Sequence, residues 1–137
     1  AQNHYNLITR GIEGDVIPAA STLGLGVIPY FPLASGFLTG KYQPGEAVPE
    51  DSRMTAWGMA DNTLTEENFA ILGKLETFAK SHNHSVLELA MGWLLSHPEI
   101  PTVISGATKP EHVLSNIEAA SWQLNKDEMD EVNTITS

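Results

Sequence analysis

The chain has 137 residues, 42% of them hydrophobic, enough for one core and too few for two comfortable domains, so residues 1–137 are read as a single unit. Seventeen acidic residues against seven Lys and Arg give a net charge of −10, which argues against nucleic acid and anionic membrane surfaces as partners. No apolar run approaches the roughly 18 residues of a membrane span, and the lack of cysteine excludes disulfides and thiol chemistry while suiting a reducing cytoplasm.

The opening residues, AQNHYNLITRG, have neither the basic start nor the apolar centre of an export signal. They begin without an initiator Met in a strand-like stretch, as expected of a piece of a longer protein. Residues 2–7, too short for periodicity alone to assign, are expected as a first strand, followed by a polar turn through Arg10, Gly11 and Gly14. Asp15 caps a helix whose third position is Pro18, where a missing N–H costs nothing, and Val16, Ile17, Ala20 and Leu23 make its apolar stripe until Gly24 stops it. Residues 26–31 read as a buried strand. Gly24 and Gly26 do not make a dinucleotide fingerprint, because they follow a helix and open a strand rather than the reverse.

Residues 39–64, with Gly40, Pro44, Gly45 and Pro49, read as a long polar loop of the length that usually carries function or disorder. A helix starts at Thr65, where Glu66 and Glu67 suit the positive end of its dipole, and buries Phe69, Leu72, Leu75 and Phe78. Ser85 and Glu88 form a capping box for a helix, VLELAMGWLL, that is apolar nearly all round and should be covered on several sides. A third strand over residues 102–105 leads into a helix begun by Pro110, with Val113, Leu114, Ile117 and Ala120 inward. Asn125 and Glu128 start a last helix carrying Met129, Val132 and Ile135. Strands alternating with helices in this way predict parallel α/β structure.

Of the seven basic residues, Arg10, Lys41, Arg53 and Lys109 all follow predicted strands. In parallel α/β folds those segments gather on the face that binds ligands. YFPLASGFLTGKY, at residues 30–42, ends a strand in small residues and a lysine, which suits a bound anion. His82 and His84 have the spacing of a metal pair, but no carboxylate or third histidine accompanies them, and a solvated loop is the expected reading.

QNHYNL, YFPLASGFLTGKY, SR at 52 and 53, WLL and GATKPEHVLSN, in this order and spacing, resemble the C-terminal part of aldo-keto reductases, especially the branch that includes the potassium-channel β subunits. The resemblance covers essentially the whole chain. It implies the last three strand–helix units and C-terminal helix of a (β/α)8 TIM barrel whose N-terminal half is absent. It also implies an NADP(H) cofactor and a carbonyl substrate reduced by hydride transfer in the complete protein. By resemblance, Gln2 holds the nicotinamide carboxamide and Tyr30 packs on the nicotinamide ring. Phe31, Pro32, Leu33, Ala34 and Ser35 wrap the pyrophosphate, with Phe31 where many relatives have serine. Lys41 and Arg53 approach the phosphates, Gly106, Thr108 and His112 belong to the last cofactor segment, and Asn116 lies at the adenine.

Plainer readings stand beside these. Tyr30 is also what a core aromatic at a barrel mouth looks like, Lys41 and Arg53 what solvated loop charges look like, and Gln2 a frayed end. His112 needs no function on a surface helix.

The family's catalytic tyrosine, lysine, aspartate and histidine match nothing in this chain, so no catalytic residue is assigned and the chain alone is expected to be inactive. A cofactor-binding regulatory subunit of the channel-β type is the alternative to an enzyme. A lone partial barrel is expected to self-associate or to pair with its missing half.

Overall fold

The computed structural model describes residues 1–137. Two short parallel strands, β1 (Gln2–His4) and β2 (Ile28–Tyr30), pair in the register Gln2 to Ile28, Asn3 to Pro29 and His4 to Tyr30. The helix between them is α1 (Val16–Leu23), capped by the Asp15 carboxylate, which accepts from the Val16 N–H at 2.6 Å, and ended by Gly24 in the left-handed conformation. Its apolar stripe is covered only in part: Ala20 is buried, whereas Leu23 faces solvent.

The expected third strand shrinks to a single bridge, Tyr30 to Ile104, supported by the Ile104 N–H donating to the Pro29 carbonyl at 2.8 Å. Pro29 is the reason. A parallel ladder needs both the C=O and the N–H that a residue turns toward its neighbour, and proline supplies only the first.

The stretch read as one long loop is more ordered than its polarity implies. It follows 3-10 turns over Ala34–Thr39 and contains two one-turn helices, α2 (Arg53–Ala56) and α3 (Ala60–Thr63), anchored by the fully buried Met54. The Ser52 hydroxyl caps α2 by accepting from the Thr55 N–H at 3.2 Å.

Next come α4 (Glu66–Ser81), α5 (Val86–Leu95), α6 (Pro110–Ala119) and α7 (Lys126–Ile135). The capping boxes at Ser85/Glu88 and Asn125/Glu128 form as expected. Helix α5 is covered on nearly every side, packing on α4, α6 and the 3-10 turns, and its Trp93 and Leu94 are fully buried. Phe69 is only half-buried but meets the Phe37 ring edge-on at 5.2 Å.

Helix α6 departs from expectation. Periodicity put Val113, Leu114 and Ile117 inward, yet they are 47%, 61% and 64% exposed, because the chief partner of α6 is α5 and its contact side is marked instead by the buried Ala119. An apolar stripe becomes buried only where another element covers it.

Arg10 follows a strand but does not join the ligand face. Its guanidinium bonds the Glu13 carboxylate at 2.7 and 3.0 Å, the Asn133 side-chain oxygen at 3.0 Å and the Thr136 hydroxyl, and it lies 5.1 Å from the centre of the Trp93 ring. Tyr5 completes this network by donating its hydroxyl to Glu13 at 2.7 Å. Desolvation pushes the Glu13 carboxyl up, but hydrogen bonds from Arg10 and Tyr5 outweigh it and hold the carboxyl below its ordinary value of 4.5. Stability from this group is therefore fully present above about pH 4.5 and is lost as pH falls through the lower folded value. Glu13→Gln should lower the melting temperature at neutral pH, and the gap to the parent should close on acidification. A gap independent of pH would show that Glu13 contributes no charge-dependent stability.

His82 and His84 are not solvated loop residues. His84 stacks on Trp122 with ring centres 4.0 Å apart, while His82 lies 4.3 Å from Phe78 and its Nε2 is 3.6 Å from the Glu128 carboxylate. They fasten the α4–α5 turn to the segment before α7.

Candidate functional site

The carboxyl ends of β1 and β2 and the segment after Ile104 gather most of the residues singled out from the sequence. Tyr30 is the last residue of β2 and half-buried, with His4 of β1 stacked on its ring at 5.5 Å and 20°. Burial holds the His4 imidazole below its usual value, so it is neutral there at neutral pH. The chain then bends sharply. Phe31, Ala34 and Ser35 take left-handed φ angles of 55°, 48° and 55°, and Gly36 follows at 92°. The Phe31 ring is enclosed edge-on by His4, Tyr30 and the exposed Trp57 at 5.4, 5.3 and 5.0 Å. Pro32 and Ala34 are buried, while Leu33 and Ser35 are half-buried. The Leu33 carbonyl closes the bend by accepting from the Gly36 and Leu38 N–H groups at 3.0 and 3.1 Å, and the Ser35 hydroxyl lies 3.2 Å from the Met59 sulfur.

Two cations stand over this bend and its neighbour. The Lys41 side chain lies against the bare face of Gly36, where an added Cβ would sit 2.8 Å from Nζ. The Arg53 guanidinium, at the start of α2, lies against Gly106, where an added Cβ would come within 3.1 Å of Cζ. Neither cation has a carboxylate within ion-pair distance, unlike Arg10 and Lys126. In a chain of net charge −10, each of these cations rests on backbone with no carboxylate partner.

Beyond Gly106 the surface continues through Thr108, whose hydroxyl is 3.4 Å from His112 Nδ1 one helical turn on. Ala107, Thr108, Lys109, Pro110, Val113 and Leu114 line a shallow open groove at the start of α6. Asn116 is half-buried further along that helix, and Gln2 is exposed at the first position of β1.

Sequence reasoning missed Asn6, Gly36 and Trp57 as members of this neighbourhood. The signal available for Asn6 was an asparagine directly after a strand, a position that favours an Asx turn. Tyr5 is fully buried with its hydroxyl committed to the Glu13 carboxylate at 2.7 Å, and burial first and that carboxylate next push the hydroxyl far above the ordinary range.

Parallel strands whose carboxyl ends carry a sharp bend, an aromatic face and cations without a carboxylate partner define an α/β protein with its candidate site at the strand ends. The chain belongs to the aldo/keto reductase family, whose model matches residues 1–137. It is 37% identical over 122 residues to a probable voltage-gated potassium channel subunit beta of Oryza sativa, covering 86% of this chain and 37% of that one. It is 35% identical over 124 residues to L-glyceraldehyde 3-phosphate reductase of Escherichia coli O157:H7, covering 86% and 35%. Among solved structures, the glycerol dehydrogenase of Gluconobacter oxydans superposes with a TM-score of 0.82 at 28% identity, over 98% of this chain and 41% of its own. The chain thus spans little more than a third of the length of these relatives.

Proposed function

We propose that this chain is the cofactor-binding C-terminal part of an NADPH-dependent aldo-keto reductase, the last three strand–helix units and C-terminal helix of a (β/α)8 barrel, and that the complete protein reduces aldehydes or ketones to alcohols. The observation that carries this reading is the pair of unpaired cations, Lys41 and Arg53, seated on Gly36 and Gly106 beside the Tyr30–Ser35 bend. A dinucleotide phosphate fits that donor set, because it offers a diphosphate, a further phosphate and planar rings to two cations, a turned backbone and an aromatic side chain. Lys41 and Arg53 neutralise phosphate charge, Tyr30 supports the nicotinamide ring, and Gln2 has the donor and acceptor its carboxamide needs. Phe31, Pro32, Leu33, Ala34 and Ser35 surround the pyrophosphate. Gly106, Thr108 and His112 line the far side, with Asn116 toward the adenine. Bound NADPH supplies the hydride, and the proton comes from a residue outside this chain.

NADPH oxidation over a panel of aldehydes tests the reading. The complete protein should turn over, and purified residues 1–137 should not. Robust turnover by the shorter chain would overturn the claim that it lacks the proton donor.

A second reading, a nicotinamide-binding regulatory subunit, is favoured by the 37% identity to a channel β subunit. The upstream sequence separates the two, since an intact Asp, Tyr, Lys and His set favours the enzyme.

The exposed Ile104, Val113, Leu114 and Ile117 further support self-association of the isolated chain, or its pairing with the rest of the barrel. Light scattering after size-exclusion chromatography should find an assembly larger than one chain. A soluble monomer with a cooperative melt would sink this expectation.

A further inference from the structure

Asn6 is fully buried directly after β1, and its side-chain amide is used on both ends. Oδ1 accepts from the Ile8 and Thr9 N–H groups at 3.0 and 2.9 Å, while Nδ2 donates to the Phe31 carbonyl at 2.9 Å and lies 3.4 Å from His4 Nε2. Two N–H partners at one end and a carbonyl at the other fix which atom is which. The Oδ1 end completes a local turn, as an asparagine after a strand commonly does. The Nδ2 end does something a turn does not require. It reaches the other strand, to the first residue of a bend in which Phe31, Ala34 and Ser35 all hold left-handed conformations that such residues rarely adopt. A backbone of this kind persists only where its surroundings over-determine it. At Phe31 those surroundings are the Asn6 amide, the Ala34 N–H that shares its carbonyl at 3.1 Å, and the rings of His4, Tyr30 and Trp57.

We propose that Asn6 is a positioning residue for the dinucleotide, its buried amide holding the Phe31–Ser35 bend in the shape that receives the pyrophosphate before the cofactor arrives. The role rests on the cofactor reading above. Asn6 does not touch the ligand; it acts through the Phe31 carbonyl. A preorganised bend spares the ordering cost that a loose one would charge against binding.

Asn6→Asp isolates the bond, since the carboxylate keeps the acceptor for Ile8 and Thr9 but turns a second acceptor toward the Phe31 carbonyl. Asn6→Ser is a smaller alternative. In the complete reductase, fluorescence titration should show NADPH and NADH each weakened tenfold or more by Asn6→Asp. Adenosine 2′-phosphate, which has no pyrophosphate, should bind within twofold of the parent. Equal weakening of all three ligands would mean general damage and overturn the role, as would NADPH affinity within twofold of the parent.

If neither variant folds, amide exchange of the unaltered protein without nucleotide decides the matter. The Ala34 and Gly36 amides should already be protected, and exchange at the rate of an unstructured chain, slowed only by NADPH, would overturn preorganisation. An unaltered protein that binds neither NADPH nor NADH would instead remove the cofactor reading, an outcome the exchange measurement keeps separate.

Discussion

Gly92→Ala should lower the stability of this protein substantially, whereas the same substitution at Gly73 should raise it. Both glycines lie inside helices, where alanine is intrinsically better by about 0.5–1 kcal/mol. At Gly73 in α4 an added Cβ meets nothing within 4 Å, so that preference is realised in full. At Gly92 in α5 the Cβ would run into the Trp122 carbonyl oxygen and come within 3.1 Å of the Leu124 Cδ1. The first obstacle is backbone and cannot swing aside. The segment that carries it is itself held, by the His84 stack on Trp122 and by the Leu124 N–H donating to the Ser96 hydroxyl at 2.9 Å. Overpacking of this kind costs roughly 1–3 kcal/mol and sometimes more. The clash therefore outweighs the propensity gain. Thermal melts of the two variants should move in opposite directions, the Gly92 variant downward by several degrees. A Gly92→Ala protein that melts with or above its parent would show that the turn at Trp122 yields without cost.

The largest expected effect on ligand binding is at Arg53. If the guanidinium meets the 2′-phosphate that distinguishes NADPH from NADH, Arg53→Ala removes a charge-assisted contact of roughly 1.5–3 kcal/mol, or about a ten- to 150-fold loss of NADPH affinity. NADH affinity should hardly change. Gly106→Ala provides an independent check, because a methyl group there occupies the space against which the guanidinium lies. It should weaken NADPH binding in the parent and do little once Arg53 has become alanine, the non-additivity expected when one residue acts through another. Unchanged affinity for both nucleotides in Arg53→Ala would leave Arg53 a solvated loop residue. Additive losses would separate Gly106 from it.

Much of this molecule was legible in the sequence, and what was not has a common physical origin. Helix starts were readable because a cap is a local device: Asp15, Thr65, Ser85 and Asn125 each accept a backbone N–H within three residues, and each begins the helix expected of it. Burial was less readable because it depends on a partner distant in the chain. Val113, Leu114 and Ile117 have the spacing of a buried stripe with nothing over it, and Arg10 has the position of a ligand-facing cation but is claimed by Glu13 and α7. The long loop hid its order for the same reason, since Met54 is buried by contacts that its polar neighbours do not announce. In the candidate site, the aromatic, the bend and the cations were visible as residue types. The glycine faces beneath Lys41 and Arg53, and the amide of Asn6 behind Phe31, required the fold to bring together residues as far as 53 positions apart, as between Arg53 and Gly106.

Pro29 also divides the candidate site along a seam. Tyr30, the bend, Lys41 and Arg53 belong to the body built on β2. Gly106, Thr108, His112 and Asn116 follow a segment joined to that body by the Ile104 bridge and, further back, by the Val27 N–H donating to the Glu99 carbonyl at 2.7 Å. The Arg53 side chain, lying on Gly106, is a clasp from one body to the other. On the proposed reading, an anion bound at that clasp would engage both sides at once and favour the closed seam over any opened form. With a single bridge between the strands at that seam, such binding would be read as a gain in stability as well as an occupied site.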